Sequence, residues 1–387
     1  FTLKVWKFAL PDRPSLQVIM DLRNGPGWSL FPTQGKAEEW WRFMAHHRIS
    51  SDHLLPAPEF RLTDGQVRMD TEAFDRAATL WFDELHMAAA YFPEVFYACG
   101  WAHPPRKFLG QEYGTPEYRS AYQQAVRLFW DHVKAEGWAD RFSLYVSDEP
   151  HYWNHPEVVE WLGNVVRMIR EVDPAIPVYS STWGHVPEWD GALNHWGLAQ
   201  YGKFPLDVLK QRQAAGDKLW FTTDGQFELD TPYNACERLL PYYCLAYDVS
   251  GYEFWALPWY TYDPFKFGWY DYIRQSDAPG DLYWTRYPNG SGQLAYPGEL
   301  IGLEGPLSTI RLEQVREGLE DYELFAGLLG RGRGKGEAEV EKVMSDVRAL
   351  VPIPNAGGYR STETLPDPEA LMKLRQRAGE LLERLQR

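Results

Sequence analysis

Residues 141–150 read Arg141-Phe142-Ser143-Leu144-Tyr145-Val146-Ser147-Asp148-Glu149-Pro150. The apolar and β-branched residues of this stretch predict a strand that leads directly into two neighbouring carboxylates and a proline. Neighbouring side chains of a strand point to opposite faces, so both acids reach one site only if regular pairing ends here. Pro150 favours that end because it has no amide hydrogen to donate.

Segments of the same kind alternate with amphipathic helical segments through most of the chain. The predicted strands are residues 16–20, 51–55, 94–99, 142–147, 178–181, 195–200, 219–223 and 252–257. The helices that follow begin near residues 37, 71, 116, 156, 205, 234 and 308. Eight βα units over roughly 310 residues predict an α/β fold, a (β/α)8 TIM-type barrel, with an open doubly wound sheet as the alternative. No G-x-G-x-x-G motif follows the first strand, which counts against the doubly wound sheet.

The same pattern predicts a catalytic barrel over residues 1–330 and a C-terminal helical extension over residues 331–387. A long irregular insertion, residues 258–307, follows the eighth strand, and loops of that length in a compact domain are usually functional. The last predicted helix, residues 367–386, carries an apolar stripe at helical spacing. We expect this stripe to dock on the barrel rather than to pair with a partner helix.

The chain is acidic, with 54 Asp and Glu against 39 Lys and Arg and a formal net charge of −15. A surface this negative repels phosphate backbones and anionic lipid, so we expect neither a nucleic-acid nor a membrane partner. No apolar run approaches the length of a bilayer span. The sequence starts at Phe1 without the features of a signal peptide, so we expect that a leader or a preceding domain has been trimmed, and the compartment stays open.

The two adjacent acids carry the strongest chemical signal. When two carboxylates lie close together in a cleft that is shielded from water, ionisation of both is unfavourable, so one of them tends to keep its proton. Glycoside hydrolysis uses such a pair, because it needs an acid for the leaving oxygen and a negative group for the charge that develops at the sugar ring. The alternative is a solvated pair, Asp148 and Glu149, that caps the helix predicted to begin near residue 156.

Further candidates lie at the predicted strand ends, where the active site of a parallel barrel is found. Asp224 follows the seventh strand, and Glu253 lies within the eighth, where an ordinary buried ion pair is the alternative. His53 and His103 end the second and third strands. Aromatic residues form 16% of the chain, and such rings suit the apolar face of a sugar, although core packing is the simpler explanation. The aromatic candidates are Trp183, Tyr201, Trp255, Trp259 and Tyr260.

We expect no metal ion and no cofactor. The three cysteines form no C-x-x-C pair, and no H-E-x-x-H motif is present among the ten histidines. Neither a G-x-S-x-G motif nor a P-loop occurs, so a serine-hydrolase elbow and an NTPase lose their best support.

Four segments resemble the catalytic domain of glycoside hydrolase family 123, the N-acetyl-β-galactosaminidases. They are residues 3–11 with 14–16, Asp148-Glu149-Pro150, residues 251–255, and Leu294 with residues 296–298 and 308–329, which include Arg311-Leu312-Glu313 and residues 316–323. The last segment is the most specific.

This resemblance implies a (β/α)8 barrel and retaining, substrate-assisted catalysis. Glu149 would protonate the leaving oxygen and later activate water, and Asp148 would orient the substrate's own 2-acetamido group, which acts as the nucleophile. Two departures from the family pattern, in residues 219–224 and at Glu253, leave the substrate preference open. Two other functions remain: a two-carboxylate glycosidase that uses Glu149 with Asp224 or Glu253, and a non-catalytic glycan-binding barrel.

Overall fold

The computed structural model describes residues 4–22, 36–151, 155–198, 206–223, 235–260, 292–352 and 367–386. In chain order the strands are β1 (Gln17–Met20), β2 (Glu59–Thr63), β3 (Gln66–Asp70), β4 (Ala90–Tyr91), β5 (Phe142–Asp148), β6 (Val178–Trp183), β7 (His195–Leu198), β8 (Lys218–Thr223), β9 (Gly251–Phe254), β10 (Ala295–Pro297) and β11 (Pro306–Ser308). The α-helices are α1 (Ala37–His46), α2 (Glu72–Ala78), α3 (Pro116–Ala135), α4 (Val158–Val172), α5 (Leu206–Ala214), α6 (Ala235–Ala246), α7 (Ile310–Arg331), α8 (Glu337–Leu350) and α9 (Pro368–Leu385).

The described residues form two compact units. One is built from described residues of 1–49 and 223–387, and the other from those of 50–200 and 205–222. In the second unit, β4, β5, β6, β7 and β8 pair in that order and all run parallel. In the first unit, β1 pairs parallel with β9 from Gln17 with Gly251 to Met20 with Phe254.

Helices α3, α4 and α5 connect successive parallel strands of the second unit. Parallel strands that alternate with helices are the pattern of a TIM-type barrel, so the predicted fold class is confirmed. The sheet of the second unit is packed on both faces, as parallel sheets usually are. On one face Phe142 packs against Phe129 of α3 with ring centres 5.3 Å apart, and elsewhere along β5 Tyr145 lies 4.9 Å from Tyr179.

Capping residues determine where several helices begin. The hydroxyl of Thr115 accepts the amide hydrogen of Tyr118, and Pro116 opens α3, where its missing amide hydrogen costs nothing. Thr309 caps α7 in the same way, through the amide of Leu312. Helix α3 therefore begins at residue 116, as the sequence predicted.

Two of the predicted strands differ from the structure. The strand predicted over residues 94–99 is wrong, because Glu94–Phe96 form a 3-10 turn after Pro93 and the strand is the earlier β4. β4 consists of Ala90 and Tyr91 only, and alanine is a weak strand former, so this short strand depends on its pairing with β5 rather than on a run of strand-forming residues. Residues 51–55 contribute one bridge, between His53 and Tyr91. The antiparallel hairpin of β2 and β3 was not predicted.

The first unit contains the region predicted as a long insertion, of which residues 261–291 lie outside the described residues. Beyond them, β10 and β11 form a short antiparallel hairpin. Helix α7 packs against α6 and α9, and α9 also packs against α8. The buried carboxylate of Asp321 in α7 joins these helices, with Arg238 of α6 at 2.7 Å and Arg375 of α9 at 3.1 Å. Within the described ranges, no helix is long and apolar enough to cross a bilayer.

Candidate active site

Strand β5 ends at Asp148, and Glu149 leaves the strand with a φ of 40°. This left-handed conformation costs a residue with a side chain about 1–2 kcal/mol, so the surrounding contacts must hold it in place. Both acids are half-buried. Regular strand geometry therefore stops between the two carboxylates, as Pro150 predicted.

The register between β5 and β6 shifts between Tyr145 and Ser147, so that Tyr145 pairs with Tyr179 and Asp148 pairs with Ser181. In a regular strand, residues 145 and 148 would point to opposite faces because they are an odd number apart. The extra residue of this bulge brings both side chains to Ser181.

Asp148 is held through its side chain and its backbone. The hydroxyl of Ser181 donates to Oδ1 of Asp148, and the hydroxyl of Tyr145 lies 2.7 Å from Oγ of Ser181. Because Ser181 has one proton and donates it to the carboxylate, Tyr145 is the donor in the second hydrogen bond. The amide of Asp148 also donates to the carbonyl of Gly100 at 2.9 Å. The position and rotation of this carboxylate are therefore well determined.

Glu149 has a different set of contacts. The indole Nε1 of Trp101 donates to its Oε2 at 2.8 Å, and its own amide donates to the carbonyl oxygen of Ser181 at 3.1 Å. Trp101 forms a parallel bridge with Asp148, which brings its ring alongside the end of β5. A carboxyl in this position has a fixed neutral donor on Oε2, which orients the group without adding a charge.

Aromatic rings pack below the acids within the second unit. Tyr145 lies 4.7 Å from Tyr91 and 4.9 Å from Tyr179, and Tyr179 lies 5.4 Å from Trp220. Next to them, buried His195 shares a hydrogen bond with the hydroxyl of Ser143 at 3.1 Å. Burial lowers the pKa of His195 well below its usual range, so this ring is neutral at physiological pH and is a poor source of protons.

The predicted site histidines both lie in the second unit, with the acids. His53 contacts Asp52 at 3.1 Å and lies 5.8 Å from the ring of Tyr91. His103 is exposed, and its amide donates to the carbonyl of Cys99 at 2.8 Å. The thiol of Cys99 is buried, which raises its pKa to about 12 and removes it as a nucleophile.

Three other predicted site residues lie together in the first unit. Glu253 is buried in β9, with 6% of its surface exposed. Trp255 and Trp259 are half-buried, and their rings meet edge to face at 4.5 Å. Gly292 passes so close to Trp255 that a Cβ atom there would lie 2.6 Å from the indole ring. Tyr201, Asp224 and the side chain of Trp183 lie outside the described residues.

The prediction from sequence missed Trp101, Tyr145 and Ser181. Trp101 follows the third predicted strand, which was placed wrongly, so its position next to the end of β5 could not be predicted. Tyr145 and Ser181 lie in correctly predicted strands, but their contact with Asp148 depends on the bulge, which carries no clear sequence signal. Across the described ranges, no group of three or more His, Cys, Asp or Glu side chains has the arrangement of a metal site.

A parallel α/β fold with two acids at a strand end is typical of glycoside hydrolases, and the family match that follows shows that this protein is one, so its substrate is a glycan. The family model described as glycoside hydrolase 123, catalytic domain, matches residues 93–328. The chain belongs to glycoside hydrolase family 123.

The chain is also similar to solved structures. The chain is similar to a family 123 glycoside hydrolase from Clostridium perfringens analysed for glycolipid glycan hydrolysis, at 13% identity over 98% of this chain and 70% of that chain, with a TM-score of 0.56. It is also similar to a β-galactosidase from Bacillus circulans sp. alkalophilus, at 11% identity over 82% of this chain and 57% of that one, with a TM-score of 0.43. At such low identity the first likeness concerns the fold alone. No curated protein matches the sequence significantly.

Proposed function

We propose that this protein is a retaining glycoside hydrolase that cleaves β-linked N-acetylgalactosaminides by substrate-assisted catalysis. The observation that carries the proposal is the adjacency of Asp148 and Glu149 at the end of β5, with separate hydrogen-bond partners for each carboxylate. Sequence neighbours cannot readily flank a sugar from opposite faces. Both can act on one face, which is what a reaction with a nucleophile inside the substrate requires.

Glu149 has the role of general acid and base. In the first step it donates its proton to the glycosidic oxygen while the bond between that oxygen and C1 breaks. The carbonyl oxygen of the 2-acetamido group forms the new bond to C1, which gives a cyclic oxazolinium ion. In the second step Glu149 takes a proton from water, the water oxygen attacks C1, and the ring opens with the original configuration retained.

Asp148 acts on the amide of the same group. As an anion it accepts the N–H of the 2-acetamido group and turns the carbonyl oxygen toward C1. It also stabilises the positive charge that spreads over the amide as the ring closes. The hydroxyl of Ser181 supports this role because its hydrogen bond to Oδ1 holds the carboxylate in a fixed orientation.

We propose further that sugar contacts come from the remaining predicted residues. These are His53, His103, Trp183, Tyr201, Asp224, Glu253, Trp255 and Trp259. The edge-to-face pair of Trp255 and Trp259 supports this, since both rings are half-buried and keep part of their surface for contact with a sugar. The relative from Clostridium perfringens makes glycolipid glycans reasonable substrates to include in a screen.

We propose that residues 1–330 form the catalytic domain and that residues 331–387 are a helical extension. The family match ends at residue 328, within the last turn of α7, which supports a boundary at this helix. Helices α8 and α9 follow it and pack on one another.

The test compares matched aryl β-glycosides with and without the 2-acetamido group. We expect hydrolysis of the N-acetylgalactosaminide, a β-configured first product by NMR, and no measurable hydrolysis of the plain galactoside. Glu149→Gln should lower kcat by about 100-fold or more, in line with the loss of a general acid. Asp148→Ala should also cripple hydrolysis, because the amide is no longer oriented.

Other outcomes contradict the proposal and favour the alternatives. Equal hydrolysis of the plain galactoside would favour a two-carboxylate glycosidase with Asp224 or Glu253 as the second acid. Glycan binding without any hydrolysis, unchanged in Glu149→Gln, would favour a glycan-binding barrel.

A further inference from the structure

Ser181 is the residue of β6 that contacts both acids of the site. Its carbonyl oxygen accepts the amide hydrogen of Glu149 at 3.1 Å, and its hydroxyl donates to Oδ1 of Asp148. It also pairs in register with Asp148. One buried residue therefore links the left-handed turn at Glu149 to the rotation of the Asp148 carboxylate.

Tyr145 controls the direction of the Ser181 hydroxyl. A serine hydroxyl that no neighbour holds rotates freely and can donate its proton to any acceptor within reach. The hydroxyl of Tyr145 occupies an acceptor site of Oγ at 2.7 Å, which leaves the proton of Ser181 for Asp148. The Tyr145 ring is itself held between Tyr91 at 4.7 Å and Tyr179 at 4.9 Å.

We propose that Ser181, backed by Tyr145, is a positioning residue for substrate-assisted catalysis. Ser181 engages Oδ1 of Asp148, so that Oδ2 is the oxygen presented to the N–H of the 2-acetamido group. The inference rests on the proposed function, because the hydrogen bonds from Tyr145 through Ser181 to Asp148 can position Asp148 for catalysis only if the substrate carries an amide that Asp148 binds. Neither residue touches the reacting atoms, and both act through Asp148.

The first test is the variant Ser181→Ala, which keeps the backbone contact to Glu149 and removes the hydroxyl. We expect kcat for an aryl N-acetylgalactosaminide to fall about 10–100-fold, the size of effect that a misplaced group produces, while KM changes little. Binding of a stable cyclic thiazoline, which mimics the oxazolinium ion, should weaken by a similar factor. For Tyr145→Phe we expect the same changes, with a fold-decrease in kcat about a third to a tenth of that in Ser181→Ala. The Ser181 hydroxyl can still donate to Asp148 in this variant, but Tyr145 no longer fixes its rotation.

The decisive measurement is a double-mutant cycle with Asp148→Ala. If Ser181 acts through Asp148, then Ser181→Ala lowers kcat in the wild-type background but not in the Asp148→Ala background. The matched control is Ser180→Ala. In the wild-type protein the Ser180 hydroxyl donates to the carbonyl oxygen of Ser147 and not to Asp148, so its removal should leave kcat unchanged.

The inference is overturned if Ser181→Ala retains wild-type kcat, or if it loses as much activity with Asp148→Ala as without it. Should Ser181→Ala not fold, Tyr145→Phe decides in the same cycle: a loss confined to the wild-type background supports the inference, and no loss overturns it. These results are distinguishable from failure of the proposed function, in which the wild-type protein itself does not hydrolyse the acetamido substrate.

Discussion

The indole N–H of Trp101 points at Oε2 of Glu149, with 2.8 Å between nitrogen and oxygen. The donor is neutral and rigid, so it orients the carboxyl group without contributing a charge. The left-handed backbone of Glu149 and this hydrogen bond together hold the carboxyl group in one orientation. In the proposed mechanism, Trp101 therefore supports proton transfer by Glu149.

Trp101→Phe removes this hydrogen bond and keeps an aromatic ring. We expect kcat/KM to fall about 10-fold for aryl glycosides with poor leaving groups and to change much less for those with good leaving groups. The reason is that a good leaving group departs without a proton. The measurement is a series of substituted phenyl glycosides. Trp130→Phe is the control, because it also removes a hydrogen bond from an indole N–H to a carboxylate, that of Asp173. This variant should behave as wild type in every assay. An equal loss across the series would refute the role in proton transfer.

Gly292→Ala should disturb the pair of Trp255 and Trp259. Gly292 has a φ of 73°, and the added Cβ would lie 2.6 Å from the Trp255 ring. The ring must move, so we expect a changed near-ultraviolet circular dichroism spectrum and a raised KM. Gly302→Ala is the matched control, with a φ of 74° and open space around the new carbon. Gly302→Ala should lose about 1 kcal/mol of stability through backbone strain alone, Gly292→Ala should lose more because of the contact with Trp255, and only Gly292→Ala should change the tryptophan signal. Identical spectra for the two would contradict the expected ring movement.

Most of the fold was predictable because its longer elements carry strong local signals. β5 carries the strand formers Phe142, Tyr145 and Val146 and ends at Asp148, two residues before Pro150, and α3 begins after a threonine with a proline in its first turn. β4 was missed for the opposite reason. Its two residues, Ala90 and Tyr91, are too few to give a clear local signal, and they gain their conformation from pairing with β5.

The site was predictable only in part. Asp148 and Glu149 follow a clear strand, so their place at its carboxyl end could be read from the sequence. The partners Ser181 and Trp101 come from other segments of the chain, 33 and 48 residues away. Such contacts depend on register, and the register here is changed by a bulge that composition does not encode.

Asp321 should be among the most sensitive positions of the first unit. Its carboxylate is fully buried and contacts Arg238, Arg375 and the hydroxyl of Tyr242. Asp321→Ala leaves two guanidinium groups without this partner, so we expect a loss of about 3–5 kcal/mol in the free energy of unfolding, measured by urea denaturation. The control is Asp346→Ala, which breaks an exposed pair with Arg377 and should cost less than about 1 kcal/mol. Similar losses of stability in both variants would show that burial of the Asp321 carboxylate does not increase the cost of removing it.

Lys218 should reduce stability at neutral pH. It opens β8 and lies 5.0 Å from the ring of Trp220, and burial lowers its pKa from 10.5 to about 8, although Asp140 partly opposes this. As pH falls from 10.5 to 8, the unfolded chain takes up this proton before the folded one does. Stability therefore decreases over that range and stays lower below it.

Lys218→Met removes the charge and keeps most of the volume. We expect the free energy of unfolding at pH 7 to rise by about 1–3 kcal/mol, and we expect this gain to shrink as pH rises beyond 8. Urea denaturation at pH 7, 8.5 and 10 measures both effects. Lys342→Met, at an exposed lysine of α8, is the control and should give no such pH-dependent gain. A loss of stability in Lys218→Met that is equal at all three pH values would mean that contact with Trp220 outweighs the cost of burying the ammonium group.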